Sequence, residues 1–296
     1  MRQRGVCAGR GSNPTLTQGA KVLRWPAELM NMGIVHGLFI WMAQGTAVIA
    51  VFMFILWLLH FPLRNAAVVD VGWAMGLALL AMIYAVHGAG YWRRTLILLP
   101  MVVVWGLRLG FYLLFTRVNG QPEEGRYVEL RRKWGTNIGL KFLAFFEFQA
   151  LLCGVLSLPF LLALHDPLKG IEELETAGAW TFAVAFLGEL TADWQLSRFK
   201  RNPKNKGKVC NVGLWRYSRH PNYFFEWLIW VSFALVASSA QYGYWGFLSP
   251  ALILYFLLRV TGIPATEEQA LRSKGDAYRK YQKSTSPFIP WFPDYK

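Results

Sequence analysis

The hydrophobic positions of the chain fall into seven long runs separated by shorter polar stretches. A helix needs roughly 20 apolar residues to cross the hydrocarbon core of a bilayer, and only helices or closed barrels can span it. Unbroken apolar runs of this length favour helices, so the sequence predicts an all-α, polytopic membrane protein with seven transmembrane helices. The predicted spans lie near residues 34–60, 67–87, 95–116, 142–164, 177–197, 222–240 and 243–263.

Polar residues interrupt four of these runs at helical spacing. Residues three or four apart lie on one face of a helix, so each of these helices carries a short polar stripe. The stripes are Asp70 with Trp73, Trp105 with Arg108 and Tyr112, Glu189 with Asp193, and Asn222 with Glu226. An ionisable group at the centre of a membrane helix costs about 2.5–3.5 kcal/mol on insertion scales. Each of these groups therefore needs a partner, a cavity or a function.

The stripes have two possible explanations. They can be buried polar contacts between helices, with Arg108 neutralising Asp70 or Glu189. Alternatively, they can line a polar pocket near one face of the membrane. For a single residue the first explanation is the better one, but four stripes beside basic segments favour the pocket.

The net charge of +14 is distributed according to topology. Most of the Lys and Arg residues lie in 117–141, 198–219 and 259–296. With seven spans these segments share one side with the C-terminus, and the positive-inside rule makes that side cytoplasmic. Attraction to anionic lipid explains this charge better than nucleic-acid binding does. We expect a multi-pass protein of a bacterial inner membrane, or of the endoplasmic reticulum in a eukaryote.

The domain organisation predicted from the sequence is simple. Only 16% of the residues are charged and 54% are hydrophobic, whereas an ordinary soluble domain is about 25% charged. Residues 1–32 are polar and basic, and we expect them to form a disordered leader. Residues 33–296 are expected to form one membrane domain, with a cofactor-binding half at about 180–296.

No motif of a soluble nucleotide site or of a hydrolase occurs in the sequence. It has no G-x-G-x-x-G after a strand and no G-x-x-x-x-G-K-[ST]. It also lacks H-E-x-x-H and the G-x-S-x-G elbow, so metal-dependent and serine hydrolysis have no support. The three cysteines show no paired spacing, so we expect neither a disulfide framework nor a metal site.

The stretch GLWRYSRHPNYFFEW, residues 213–227, resembles the C-terminal signature of the membrane-bound steroid 5α-reductase family, specifically its bacterial branch. VDVGWAMG, WGLRLGFYLLFTRVNG, EEGRY and GELTADWQ resemble that branch too, so the resemblance runs from about residue 60 to the end. Sterol reductases and isoprenylcysteine carboxyl methyltransferases share a version of the signature. Its recurring residues are Gly213, Trp215, Tyr217, Asn222 and Glu226.

The resemblance implies a seven-helix bundle that holds NADPH in a cytoplasm-facing polar cavity, with the substrate entering from the lipid. Asn222 and Glu226 are then expected to bind the carboxamide of the nicotinamide. Asp193, Tyr217 and Arg259 would hold the ribose, adenine and phosphates. Arg108 and Tyr112 match positions that close over the cofactor. The full implied cofactor set is Arg108, Tyr112, Asp193, Tyr217, Asn222, Glu226 and Arg259.

The sequence departs from the family at the substrate end. Trp105 stands where vertebrate members have a catalytic Tyr, and an indole cannot protonate an oxygen. Reduction of a 3-oxo-Δ4-steroid by hydride places charge on the 3-oxo oxygen, so a donor aimed there lowers the barrier. Asp70, one methylene shorter than the family's Glu, is the candidate donor, because burial raises a carboxyl pKa. We expect Asp70, Trp73 and Trp105 to bind the substrate, with Asp70 and Glu226 as catalytic residues.

Two other functions remain open from the sequence. Methylation of a lipidic substrate by S-adenosylmethionine is compatible with Glu267 and Glu268, which match the methyltransferase pattern, but the Asp70 and Arg108 stripes argue against it. A non-catalytic sterol-binding protein is the other, and the presence of Asn222 and Glu226 argues against it. The expected partners are a lipophilic steroid-like substrate from the bilayer and membrane lipids, and we expect a monomer.

Overall fold

Helices make up the regular structure of the chain. The computed structural model describes residues 27–294, and within that range no β-strand occurs apart from one isolated bridge between Ser218 and Ser286. The predicted leader, residues 1–32, lies for the most part outside the described residues. Residues 37–296 form one compact unit, and of the residues before it the structure describes 27–36, where the first helix begins.

Eleven α-helices occur in the described part of the chain, and short 3₁₀ or π turns lie between several of them. In order they are α1 (Ala27–Leu63), α2 (Val68–His87), α3 (Trp92–Leu113), α4 (Gly125–Trp134), α5 (Ile138–Leu156), α6 (Leu158–His165), α7 (Glu172–Arg201), α8 (Pro221–Ala237), α9 (Leu248–Tyr255), α10 (Ile263–Lys274) and α11 (Asp276–Ser284). A π turn at Leu114–Val118 extends α3, and another at Phe256–Val260 follows α9.

Five helical segments are long and apolar enough to cross a membrane, judged by length and composition. They are Met32–Leu63, Val68–His87, Trp92–Val118, Ile138–Leu156 and Gly243–Lys274. All seven predicted spans fall on helical segments, but α7 and α8 are not among the five. Helix α8 has only 17 residues, and α7 is made less apolar by three buried acids, Glu175, Glu189 and Asp193.

The fourth predicted span, 142–164, is two helices and not one. Helix α5 ends at Leu156 and α6 begins at Leu158, with Pro159 in its first turn. Proline lacks the N–H that an uninterrupted helix would use there, and its ring clashes with the carbonyl of the preceding turn. The hydrophobic pattern runs through this break because both helices are apolar, so periodicity alone did not reveal it.

Small residues bring α1, α2 and α3 close together. A Cβ atom at Gly106 would lie 2.8 Å from the carbonyl oxygen of Ala74, and a Cβ atom at Gly72 would overlap the Leu56 side chain. Close backbone approach at Gly and Ala is the usual way in which helices pack inside a membrane. This packing places α2 at the centre of the group, and eleven of its residues are buried.

Two buried arginines fix α3 against α7. Arg94 lies near the start of α3 and its Nε is 3.3 Å from Glu175 Oε1, while the Arg108 Nη1 is 2.7 Å from Glu189 Oε1. Each arginine precedes its partner by 81 residues, so α3 and α7 run parallel. The two sites are about 21 Å apart along the helices at 1.5 Å per residue. The ends of α3 and α7 that lead into the basic segments 117–141 and 198–219 therefore lie side by side.

Candidate functional site

An arginine with two carboxylate partners lies where α3, α7 and α8 meet. Arg108 of α3 donates through Nη1 to Glu189 Oε1 at 2.7 Å and through Nη2 to Asp193 Oδ2. All three side chains are largely buried, with 14, 5 and 8% of their side-chain surface exposed. The four-residue spacing of Glu189 and Asp193 places both on the face of α7 that meets α3. Arg108 therefore pairs with α7 and not with Asp70.

Asn222 adds an unpaired acceptor to this group. It lies in the first turn of α8, and its side chain lies close to Asp193. Its Oδ1 atom is buried and has no hydrogen-bond partner among the described residues. Tyr112, one turn beyond Arg108 on α3, lies under the guanidinium at 5.3 Å, and its hydroxyl lies close to Ser197. A buried amide oxygen without a partner costs free energy unless a ligand or water donates to it.

Glu226 is held by two tryptophans. Trp105 Nε1 donates to Oε2 at 2.9 Å, and Trp230 Nε1 donates to Oε1 at 2.9 Å. Both indoles are fully buried, and the Trp73 ring lies edge-on to Trp105 at 5.9 Å. Both carboxylate oxygens of Glu226 are thus engaged by protein donors. The expected contact between Glu226 and a nicotinamide carboxamide would have to share or replace one of these bonds.

A polar cavity of about 600 Å³ opens beside the Arg108 group. Asp193, Leu196 and Lys200 line it along one face of α7, spanning about 10 Å at the helical rise. Tyr112 and Asn222 line it from α3 and α8. Its volume lies within the range of about 300–1,000 Å³ that is usual for small-molecule sites.

Basic side chains line the same cavity. They are Arg117, Lys200, Arg219 and Lys274. Lys200 and Lys274 form no salt bridge with any described carboxylate. Both lie close enough to Cys210, which is 5% exposed, for their charges to act on its thiol. Burial raises the pKa of the Cys210 thiol, a backbone hydrogen bond from Val212 opposes the shift, and the two lysine charges oppose it further. The cavity thus combines acceptors near α8 with cations near the end of α7, which suits an anionic ligand.

The spacing of residues in GLWRYSRH, 213–220, is explained largely by packing. Gly213 has a φ of +59°, and a Cβ atom there would lie 2.4 Å from the Gln195 side chain. Trp215 Nε1 donates to the Ala192 carbonyl at 2.9 Å. Arg219 donates to Glu267 at 2.6 Å and to two carbonyls of the C-terminal tail. These contacts fold residues 198–219 back onto α7 and close one side of the cavity.

The structure separates the predicted site residues into groups. Tyr112, Asp193 and Asn222 line the cavity. Arg108 and Glu226 lie behind this lining and are bound to protein partners. Three other predicted residues lie away from the described lining: Trp73 and Trp105 in the aromatic cluster around Glu226, and Asp70 near α4. Tyr217 is 37% exposed and packs on Phe292, and Arg259 is exposed on the π turn after α9.

Asp70 is engaged in a different polar cluster from the one expected. Its Oδ2 pairs with Arg117 at 3.3 Å and with Arg126, and its Oδ1 accepts from the Tyr127 hydroxyl at 2.8 Å. Both carboxylate oxygens of Asp70 are therefore engaged by protein groups, and Asp70 does not line the cavity. It is not placed to donate to a substrate carbonyl, which is the role proposed from the sequence.

Arg117, Arg126 and Tyr127 were not singled out from the sequence. They lie in TRVNG and EEGRY, which appeared only as stretches that resemble a family. The one available signal was the density of alternating acids and arginines in 117–133, which is typical of a salt-bridged segment. Among the described residues no group of three or more side chains is suited to hold a metal ion.

Comparison with known proteins gives a family and two relatives. A family model described as "Protein of unknown function (DUF1295)" matches residues 56–285. The uncharacterized protein C594.04c of Schizosaccharomyces pombe is 28% identical over 268 residues, covering 80% of this chain and 76% of that protein. The "Probable O-methyltransferase ustE" of Ustilaginoidea virens is 35% identical over 88 residues, 29% of each chain. No solved structure matches the chain significantly.

Proposed function

The chain belongs to the DUF1295 family, and on that premise we propose that it is a membrane-embedded reductase of the steroid 5α-reductase type. The proposed reaction is the NADPH-dependent reduction of the C4–C5 double bond of a 3-oxo-Δ4-steroid or a similar lipidic enone. The proposal includes a seven-helix bundle, in which α7 and α8 complete the five apolar segments, and a cavity that faces the cytoplasm.

The buried Oδ1 of Asn222 is the observation that carries the proposal. It lies at the wall of the cavity, has no partner among the described residues, and needs a donor. The carboxamide of a nicotinamide ring carries N–H donors that fit this acceptor. Asp193, beside Asn222, offers a second acceptor at the same end. Fixing this amide orients the nicotinamide ring, and orientation is the main contribution of a protein to cofactor chemistry.

The cations that line the cavity support a phosphorylated cofactor. Lys200 and Lys274 lack carboxylate partners among the described residues, so their charge is available to an anion. Charge-assisted hydrogen bonds to phosphate are among the strongest in proteins. We therefore expect NADPH to be preferred over NADH, and equal catalytic efficiency with the two nucleotides would contradict this.

The reaction needs a donor at the carbonyl oxygen of the enone. When bound, NADPH supplies a hydride to the β-carbon of the enone, and the α-carbon takes a proton from water. Negative charge develops on the carbonyl oxygen, and a preorganised O–H donor lowers that barrier. Asp70 is ion-paired, so we assign the donor role to a phenol that lines the cavity. Tyr112 and Tyr223 both qualify, and Tyr223 hydrogen-bonds Thr266 at 3.1 Å.

Methylation of a lipidic substrate is a second candidate function. The similarity of 88 residues to the "Probable O-methyltransferase ustE" favours it. S-adenosylmethionine carries no phosphate, and its single carboxylate is accompanied by an ammonium and a sulfonium group, so it offers the cations of the cavity far less negative charge than NADPH does. Binding of NADPH should therefore depend on the charges of Lys200 and Lys274 more strongly than binding of S-adenosylmethionine.

One experiment separates the two functions. Purified protein is incubated with NADPH and a 3-oxo-Δ4-steroid, or with S-adenosylmethionine and a lipid that carries a free thiol or carboxylate, and the products are identified by mass spectrometry. The reductase proposal predicts the gain of two hydrogens with NADPH, and about tenfold slower formation of this product in Asn222→Ala. Gain of a methyl group with S-adenosylmethionine, and no reduced product, would replace the proposal with the second function.

A further inference from the structure

Residues 117–125, between α3 and α4, form one wall of the cavity, and we call this segment the strap. Arg117 at its start and the run 121–125 at its end all line the cavity. Apart from the π turn that ends at Val118 and Gly125, which begins α4, the strap has no helical structure. One ion pair lies within it, between Arg117 Nη1 and Glu124 Oε2 at 2.9 Å, and the contacts that attach it to the rest of the fold come from outside it.

The corner between α1 and α2, residues 64–67, binds the start and the middle of the strap. Asn65 Nδ2 donates to the carbonyl of Arg117 at 2.8 Å and to that of Gln121 at 3.4 Å. The backbone N–H of Ala66 donates to Glu123 Oε1 at 2.8 Å. Asn65 is 2% exposed, so these bonds are shielded from water. Each one joins a fixed helical corner to a segment that lacks regular structure.

Asp70 joins the two ends of the strap. The Asp70 carboxylate pairs with Arg117 at the start of the strap. It also binds Arg126 and Tyr127, the two residues of α4 that follow the end of the strap. Tyr127 is 1% exposed, and burial, together with the Asp70 charge, raises the pKa of its phenol well above the usual range. The phenol therefore stays protonated and keeps donating to Asp70. Asp70 itself does not line the cavity.

We infer that Asp70 is a positioning residue that holds the strap over the cavity and so controls access to the ligand site from outside it. The inference uses the proposed function only in taking this cavity as the ligand site, and it is independent of which cofactor binds. Asp70 acts through Arg117, Arg126 and Tyr127, because it has no contact with the cavity space. This role explains why a carboxylate lies near the start of α2 without requiring that it be protonated.

Two thiols of the chain report on this inference. Cys210 lines the cavity and is 5% exposed, whereas Cys153 is fully buried in the helical bundle. In a Cys7→Ser background, alkylation of each by a maleimide in detergent is followed by mass spectrometry. Alkylation of Cys210 measures opening of the cavity, and alkylation of Cys153 measures loosening of the whole fold.

Asp70→Asn is expected to raise the alkylation rate of Cys210 about tenfold, with Cys153 unchanged, because charge-assisted bonds to the strap are lost. Tyr127→Phe, which removes one of these bonds, should give a smaller rise, and Asp70→Glu should stay within about twofold of the wild type. The matched control is Asp166→Asn, which removes a carboxylate from Arg94 at the other end of α3. It should leave the rate at Cys210 unchanged.

An unchanged rate at Cys210 in Asp70→Asn would overturn the inference, and so would a parallel rise at Cys210 and Cys153. A separate measurement tests the proposed function. NADPH should protect Cys210 in the wild type and bind more weakly to Asp70→Asn. If NADPH does not protect Cys210 at all, the proposed cofactor is wrong. The role of Asp70 in cavity opening is then still decided by the alkylation rates alone.

Discussion

Replacing Arg108 by Met tests whether the buried ion group stabilises the bundle. The side chain of Arg108 is the only described cation within salt-bridge distance of Glu189 and Asp193. Its removal leaves two carboxylates with 5 and 8% exposure and no counter-charge. Breaking a buried ion pair by removing one partner costs about 3–5 kcal/mol. At about 2–4 °C per kcal/mol, the melting temperature should fall by roughly 6–20 °C.

The assay is thermal unfolding of purified protein in one detergent at one concentration. Arg108→Lys keeps the charge but cannot offer two parallel N–H groups to two carboxylates, so its loss should be smaller. The triple variant Arg108→Met, Glu189→Gln, Asp193→Asn removes all three charges and should recover most of the lost stability. Replacing a whole buried ion group is often neutral, in contrast to removing one member.

The control is Arg132→Met, which breaks an exposed pair with Glu129 on α4. Exposed pairs contribute little to stability, so its melting temperature should match that of the wild type. A melting temperature of Arg108→Met equal to that of the wild type would refute the reasoning. A triple variant no more stable than the single one would do so equally, because the loss would then come from packing and not from unpaired charge.

Three further predictions follow from single side chains. Asn222→Ala should lower turnover of the proposed reaction about tenfold while the melting temperature falls by no more than about 4 °C, since the side chain loses only its polar contact with Asp193; normal turnover would disprove the assignment. The alkylation rate of Cys210 should still increase above about pH 9, because burial raises the pKa of its thiol and the thiolate is the reactive form. A rate that stops increasing at about pH 8.5 would contradict this. Because Cys210 is buried, sidedness is best tested with Lys206→Cys in a Cys7→Ser, Cys210→Ser background: an impermeant maleimide should label the new cysteine only after the membrane is opened, and labelling of sealed, right-side-out vesicles would reverse the predicted orientation.

The hydrophobic pattern predicted where the long apolar helices lie, and helical spacing predicted which polar residues share a face. Glu189 and Asp193 bind one arginine from α3, and Asn222 joins them from α8. The spacing predicts that Glu189 and Asp193 share one face, because it is a property of a single helix. It does not say which helix that face meets. The break at Ser157 was missed because two apolar helices in sequence look like one.

The partners of the polar residues were harder to predict than their faces. Asp70 was expected beside Arg108 or a substrate carbonyl, and it binds Arg117 and Arg126 instead. Which cation reaches a carboxylate depends on how the connecting segments fold back, and that is set by contacts such as those of Asn65 and not by spacing. Tyr217 belongs to the resembling signature, yet it faces the C-terminal tail.

The pairing of α3 with α7 has a consequence for how the chain is synthesised and inserted. Arg108 precedes Glu189 by 81 residues, so α3 leaves the ribosome well before its partner helix exists. At about 5–20 residues per second, that delay is roughly 4–16 seconds. During this interval the guanidinium of α3 has no carboxylate from α7 beside it, at a cost of about 2.5–3.5 kcal/mol if it sits at the centre of the membrane. If α7 crosses the membrane, as the proposed seven-helix bundle requires, helix α3 should remain beside the insertion machinery until α7 emerges, and the two helices should leave it together.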